Sequence, residues 1–413
     1  MNLSDITKIN FGSANISAVY NGTIKLWPKG SELSNKVMKF TIVSGDTWEK
    51  KGISAYTADN KYITPIKKDA TGWTYDEEVE YFNSSEWSFY HSGTNILTFE
   101  GFPKAVKFKS GANFFYDNNK CTDISTANID TSECTNMNSM FYGCRSLTSL
   151  DLSNFDTSQV TDMGAMFNYC SKLASLDASN FNTSQVTDMH SMFSNCSKLT
   201  SLNVSNFNTS KVTKMNSMFS RCNNLTSLDI SNFNTSQVTS MGGMFYYCNK
   251  LTSLDLSHFD TSKVTDMNKM FEGCSKLASL DLSHFNTSQV TNMSNMFYNC
   301  EGLTSLDVSH FNTSKVTKMN SMFASCSKLA SLDVSNFNTS QVTDMQSMFA
   351  SCYKLTSLDL SNWDMTKVTS TNSMFSGCSA LKTVKMTNCS QDTKDKIRAA
   401  LDADGLTNTV ITE

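Results

Sequence analysis

Charge is scarce in this chain. Only 17% of its 413 residues are Asp, Glu, Lys or Arg, against about a quarter in an ordinary soluble domain. Arginine is nearly missing, with Arg145, Arg221 and Arg398 the whole complement. A net charge of −4 and so few guanidinium groups argue against the basic field of proteins that coat nucleic acid, and no nucleic-acid partner is expected. No apolar run approaches the ~20 residues of a membrane helix, so no membrane insertion is expected. The opening MNLSDITKINFGSANIS has no charged start followed by an apolar stretch, and no secretory leader is expected. The final GLTNTVITE resembles neither a membrane tail nor a wall anchor. There is no CxxC pair, no Gly-rich phosphate loop and no nucleophile–base–acid set, so neither an enzyme nor a cofactor is expected. Serine, threonine and asparagine fill the place of the missing charge.

What is present is a repeat. Cys144, Cys170, Cys196, Cys222, Cys248, Cys274, Cys300, Cys326, Cys352 and Cys378 stand 26 residues apart. Phe141 to Phe375, Val160 to Val368 and Leu150 to Leu358 form ladders of the same interval. A fixed period of this length with stacked apolar positions denotes a solenoid, in which each coil buries its apolar side chains against its neighbours. LTSLDLSNF (147–155) alternates around Leu150, Asp151 and Leu152, which predicts a short strand. VTDMGAMFNYC (160–170) places Met163, Phe167 and Cys170 at i, i+4 and i+7, which predicts a short helix, with Thr157 and Ser158 capping it. The expected fold is an α/β solenoid: a right-handed, leucine-rich-repeat-like coil with one parallel β-sheet and short convex helices, about ten coils in all. Cys121, Ile124, Ile129 and Cys134 align as a degenerate first coil. QDTKDKIRAALDADG reads as a capping helix with Gly405 past its end. The expected division is 1–30, a small β attachment module; 31–120, a β-rich domain that caps the first coil; 121–390, the solenoid; and 391–413, the cap helix and tail.

The motif LxSLDLSxFxTSxVTxMxxMFxxC, spanning about 121–390, resembles the 26-residue leucine-rich-like repeat of BspA-like bacterial surface proteins and of surface lipoproteins in mycoplasmas, lactobacilli and listeria. That resemblance implies an extracellular adhesion or interaction surface and no enzymatic activity. Near the start, ITKINFG and ISAVYNGTIKLWP flank Asn21-Gly22, a hairpin signal. The form VYxGxxxLWP at 19–28 resembles short modules of virion and tail proteins of phages that infect gut bacteria. Farther on, VMKFTIVS, EVEYFNSSEWSFY and NILTFEGF read as strands. The leading expectation is a phage virion protein: residues 1–30 join other virion proteins and the solenoid, possible also as a homo-oligomer, meets a host-surface protein or glycan. The alternative is a BspA-like adhesin on a bacterial cell surface.

Three sets of side chains are candidates for binding. Asp151, Asp177, Asp229, Asp255, Asp281, Asp307, Asp333 and Asp359 recur on the exposed strand face, with Asn203 the exception; neighbouring carboxylates at the ~4.8 Å strand spacing would attract a cation or a basic ligand, or form only a solvated stripe. His258, His284 and His310 share one position in consecutive coils and are weak metal candidates, since Asn154, Asn180 and Asn206 hold that position elsewhere. The least repetitive surface positions are Tyr142, Tyr169, His190, Arg221, Tyr246, Tyr247, Lys269, Glu272 and Tyr298, where Tyr and Arg are favoured interface residues. The ladder cysteines, one per coil, are expected to be buried reduced thiols: coils about 10 Å apart on a helical side cannot place Cα atoms within the ~7 Å a disulfide needs.

Overall fold

The structure is a computed structural model that describes residues 106–119, 121–124, 126 and 129–413, together with the backbone of short strands between residues 26 and 100. The Asn21-Gly22 hairpin, and most of the 19–28 segment, lie outside the described residues. The chain divides into two compact units, residues 1–186 with 192–206, and residues 187–191 with 207–413.

In the first unit, Leu26–Trp27 pairs in parallel with Gly72–Thr74, which pairs antiparallel with Lys67–Asp69. Lys39–Thr41, Tyr81–Asn83, Phe89–His91 and Asn95–Glu100 fall on the segments whose composition predicts strands. Asn95–Glu100 pairs in parallel with Cys121–Ile124, and Val106–Ser110 with Ile129–Asp130. The first coil is thereby joined to the preceding sheets by ordinary strand pairing. Cys121, Ile124, Ile129 and Cys134 are all buried, as their alignment with later coils requires. A turn segment at 111–119 already bonds to 136–142 (Gly111 N–H to Asn136 O 2.8 Å, Phe115 N–H to Met140 O 2.8 Å), so the repeat geometry starts one half-coil earlier than its sequence motif.

Within each unit the coils stack in parallel, and the apolar ladders form the core. Val, Met, Phe, Cys and Leu ladder side chains are close to fully buried. The Phe rings lie nearly parallel, 5.6 Å between Phe141 and Phe167 in the first unit and 5.7–5.9 Å along Phe219, Phe245, Phe271, Phe297, Phe323, Phe349 and Phe375 in the second. These are offset stacks, the arrangement the ring quadrupole favours. The leucine-rich-repeat-like solenoid expected from the 26-residue period is therefore the fold.

Two details of that expectation are corrected. The short convex helices do not form. The segment from Val160 to Cys170 and its equivalents consist of turns closed by i→i+3 bonds (Cys170 N–H to Phe167 O 3.0 Å), alternating with bonds into the next coil (Phe167 N–H to Met192 O 2.9 Å). Two residues per coil, four apart, have left-handed backbone, such as Ala165 (φ 52°) with Tyr169 (φ 63°), or Gly243 (φ 62°) with Tyr247 (φ 55°). A left-handed residue breaks an α-helix, while the spacing of Met163, Phe167 and Cys170 is compatible with either structure. The single continuous parallel sheet is also reduced. Regular pairing covers Ser175–Asp177 with Ser201–Asn203 in the first unit. In the second it covers Leu332–Asp333, Ser357–Asp359, Thr383–Lys385 and Val410–Thr412. Other coils pass through this position with bonds of 3.4 Å, as from Thr252 N–H to Thr226 O, near the limit of a hydrogen bond.

The tightest coil-to-coil bonding lies in the turn segments. In the second unit a coil donates four backbone N–H groups forward, for example from Met241, Gly243, Phe245 and Tyr247 to Asp266, Asn268, Met270 and Glu272. A buried threonine adds a side-chain rung: Thr235 Oγ1 donates to Asp260 O at 2.9 Å. Thr157 does the same toward Asn182 O, so it bridges coils instead of capping a helix. Ladder thiols donate back to phenylalanine carbonyls within a unit, as from Cys170 Sγ to Phe141 O and from Cys274 Sγ to Phe245 O, each at 3.2 Å. At the end of the second unit, α1 (Gln391–Ala403) begins at Ser390, whose side chain accepts from Thr393 N–H, and buries Thr393, Ile397, Ala400 and Leu401. Gly405 follows with φ 79°, as expected of the cap.

Candidate binding surface on the turn side of the coils

The acidic row is part of the coil's own architecture. Each Asp accepts a bond at Oδ1 from the backbone N–H two residues on: Asp151 from Ser153 at 2.9 Å, Asp229 from Ser231 at 3.1 Å, Asp255 from Ser257 at 2.9 Å, Asp307 from Ser309 at 2.9 Å. Asp177, Asp281, Asp333 and Asp359 repeat the arrangement. This is an Asx-turn, and at Asp177 and Asp229 the serine hydroxyl and N–H hold the exposed carboxyl below the usual carboxylate range. Asn203 makes the same bond to Ser205 N–H at 3.2 Å. The position therefore requires an acceptor, which Asn supplies without a charge.

The histidine position is also a bridge between coils. Asn154 Nδ2 donates to Thr126 O and Ile129 O, each at 2.9 Å. Asn180 and Asn206 make corresponding bonds. His310 Nε2 lies 2.8 Å from Leu282 O, so its ring takes over the asparagine's donor role. His258 and His284 are exposed at the same position. Among the described residues no group of three or more His, Cys, Asp or Glu side chains is placed to hold a metal ion.

The non-repetitive residues come together on the turn edge. In the first unit Tyr116 stacks on Tyr142 (4.7 Å between centroids, 3° between planes), Tyr142 lies 5.6 Å from Tyr169, and the Arg145 guanidinium sits 5.1 Å from the Tyr169 centroid. In the second unit Tyr246 and Tyr247 meet edge to face at 4.6 Å. Arg221 lies 5.0 and 5.2 Å from their two centroids, and Lys269 Nζ lies 5.4 Å from that of Tyr246. These are cation–π distances. Glu272 is buried beside them, with Lys269 Nζ at 3.9 Å. Burial pushes its carboxyl above the usual range against the pull of Lys269 and Arg221. Burial, then the charge of Glu272 and the neighbouring Tyr246 and Tyr298, raise Tyr247.

His190 belongs to a third, smaller group. Asp188 Oδ1 accepts from His190 N–H and lies 2.7 Å from His190 Nδ1, and Lys214 Nζ donates to Oδ2 at 2.9 Å. Burial disfavours the Asp188 charge, but these bonds outweigh it and hold the carboxyl far below its ordinary range. Sequence reasoning found the scattered tyrosines and cations; it missed Tyr116, which precedes the motif, and Arg145, which stands one residue after the ladder cysteine.

A family profile described as "Mycoplasma protein of unknown function, DUF285" matches residues 109–228, 199–305 and 301–399. Among solved structures the chain is similar to a leucine-rich repeat protein from Bacteroides ovatus, with 17% identity over 85% of this chain and 98% of that one and a TM-score of 0.43. It is also similar to the functional domain of InlJ from Listeria monocytogenes, which includes a cysteine ladder, with 18% identity over 78% of this chain and 72% of that one and a TM-score of 0.28. No curated protein matches the chain.

Proposed function

The chain belongs to the family described as Mycoplasma protein of unknown function, DUF285, and on that premise we propose that it is a non-enzymatic interaction protein of a bacterial cell surface, whose coils hold a fixed face toward a protein partner. One observation carries this reading. The buried ladders run through each unit, with Leu254 alone half-buried among the leucines from 150 to 358, while tyrosine, arginine and lysine replace small polar residues on the turn edge. Such side chains, held on a stiff backbone, contribute binding energy at low entropic cost. The BspA-like motif supports the surface location. The motif VYxGxxxLWP at 19–28, on which the virion reading draws, lies outside the family match, which begins at residue 109.

The full chain, immobilised and exposed to a panel of purified secreted proteins in biolayer interferometry, should bind at least one saturably. Flat responses across the panel would remove the interaction role. Protease treatment of intact producing cells should degrade the protein; recovery of the chain in purified phage particles instead would replace the surface reading with the virion one.

A further inference from the structure

Three side chains of the second unit occupy backbone that their residue types avoid. Arg221, Tyr247 and Lys269 have φ of 58°, 55° and 55°. Equivalent positions in other coils carry Asn299, Ser325, Ser351 and Gly377, or Ser217, Ser321 and Ser347, which are smaller or better suited to left-handed backbone. All three unsuited residues converge on one spot, and bulky residues in strained backbone gather where function requires them. Gly273 (φ 77°) completes the arrangement, since a Cβ there would stand 2.9 Å from Cγ of the Tyr247 ring.

The chemistry of the spot is specific. Arg221 rests on both tyrosine rings, and its side chain makes one hydrogen bond among the described residues, from Nη2 to Tyr246 Oη at 3.3 Å. A guanidinium stacked on an aromatic face keeps its N–H edge for a bidentate partner. Lys269 adds a second cation over Tyr246. Glu272, 93% buried at its side chain, lies 3.9 Å from Lys269 Nζ and offsets part of this charge without taking a hydrogen bond from Arg221. Two cations against one buried carboxyl leave this spot positive on a chain of net charge −4.

We propose that Arg221 and Lys269, held over the rings of Tyr246 and Tyr247, form a binding site for the carboxylates of an acidic peptide segment. The proposal rests on the protein-interaction reading and names the partner chemistry of its turn edge. Two cations are too few to track a nucleic acid, whose binding accumulates through many phosphate contacts. Tyrosine and arginine are the side chains that dominate protein interfaces, which favours a peptide over an acidic sugar.

Fluorescence anisotropy of a labelled oligoglutamate peptide titrated with the full chain tests this. Binding should saturate at low salt and weaken several-fold as added salt shortens the screening length. Arg221→Asn should lower affinity about tenfold, Lys269→Ser should weaken it several-fold, and Glu272→Gln, which removes the buried opposing charge, should strengthen it. If Arg221→Asn fails to fold, Lys269→Ser, in a different coil, carries the same test. Equal binding of an oligoglutamine peptide, unchanged affinity in both cation variants, or weaker binding by Glu272→Gln would overturn the proposal. So would preferential binding of sialyllactose, which would assign the site to acidic sugars. Loss of peptide binding with retained binding to the protein panel removes this site alone; flat responses in both assays remove the interaction reading as well.

Discussion

A single asparagine explains the acidic row. Asn203 replaces the recurring aspartate and keeps the bond to the serine two residues on, so the row is a set of turn-forming acceptors before it is a set of charges. Asp229→Asn should leave the thermal midpoint nearly unchanged, whereas Asp229→Ala, which deletes the acceptor, should lower it; calorimetry of the two variants decides. The pH dependence has a definite sign. Carboxyls such as Asp229 and Asp255 are held below their ordinary pKa by serine N–H and hydroxyl groups. Their stabilisation is therefore complete above the unfolded value near 4 and is lost as pH falls through the folded value. The midpoint should fall below about pH 4 and stay level from there toward neutrality as far as these groups are concerned. The cysteines behave oppositely: burial pushes Cys196 and Cys248 up to about 12, so at neutral pH they are thiols that donate to carbonyls. A thiol reagent should label the native chain mainly at Cys389, the one cysteine that is not fully buried, and nearly all thirteen after denaturation. Labelling of only a few thiols in the denatured, unreduced chain would contradict the thiol ladder. The row of aspartates was legible in the sequence, but its purpose was not, because an Asx-turn and an exposed ligand row share the same spacing.

The terminal helix follows from its capping residues and forms where expected; the strand half of the coil follows from hydrophobic alternation but is regular only in part, at Ser175–Asp177, Ser201–Asn203, Leu332–Asp333, Ser357–Asp359 and Thr383–Lys385, and not at Leu150-Asp151-Leu152. The turn half does not follow from apolar spacing, since Met163, Met166, Phe167 and Cys170 are buried equally well by a helix or by a ladder of turns. The discriminating signal was a different column: Gly143, Asn195, Gly273, Asn299 and Gly377 recur where the backbone is left-handed. At Gly273 this requirement is joined by a close approach of the Tyr247 ring, and Gly273→Ala should cost about 1–3 kcal/mol, measured by chemical denaturation. The forward direction of the turn bonds also has an end. Beyond the last coil no further carbonyls stand ahead, and Phe375 N–H donates instead to Asp404 Oδ2 at 2.8 Å. Asp404→Ala leaves that buried donor unsatisfied and should cost about 1–3 kcal/mol, with the loss registered as faster amide exchange around Phe375.

At the scale of the chain, the repeat makes most positions redundant and a few of them singular. The 26-residue period announces the solenoid and the family, while the binding positions show only as departures from the period. Tyr142, Tyr169, Arg221, Tyr246, Tyr247, Lys269 and Glu272 could be picked out that way, but their gathering into groups could not, because it depends on which residue of one coil lies beside which residue of the next. The central claim is that cations at left-handed positions are kept for binding and against the preference of the fold. Differential scanning calorimetry of the double variant Arg221→Asn and Lys269→Ser tests it most directly. Both side chains are exposed; asparagine tolerates left-handed backbone better than arginine, by about 1 kcal/mol, and serine, which fills the lysine's position in other coils, leaves that cost unchanged. The account predicts an equal or higher thermal midpoint than that of the unaltered chain; a midpoint several degrees lower would show that the two cations serve the fold and would contradict it.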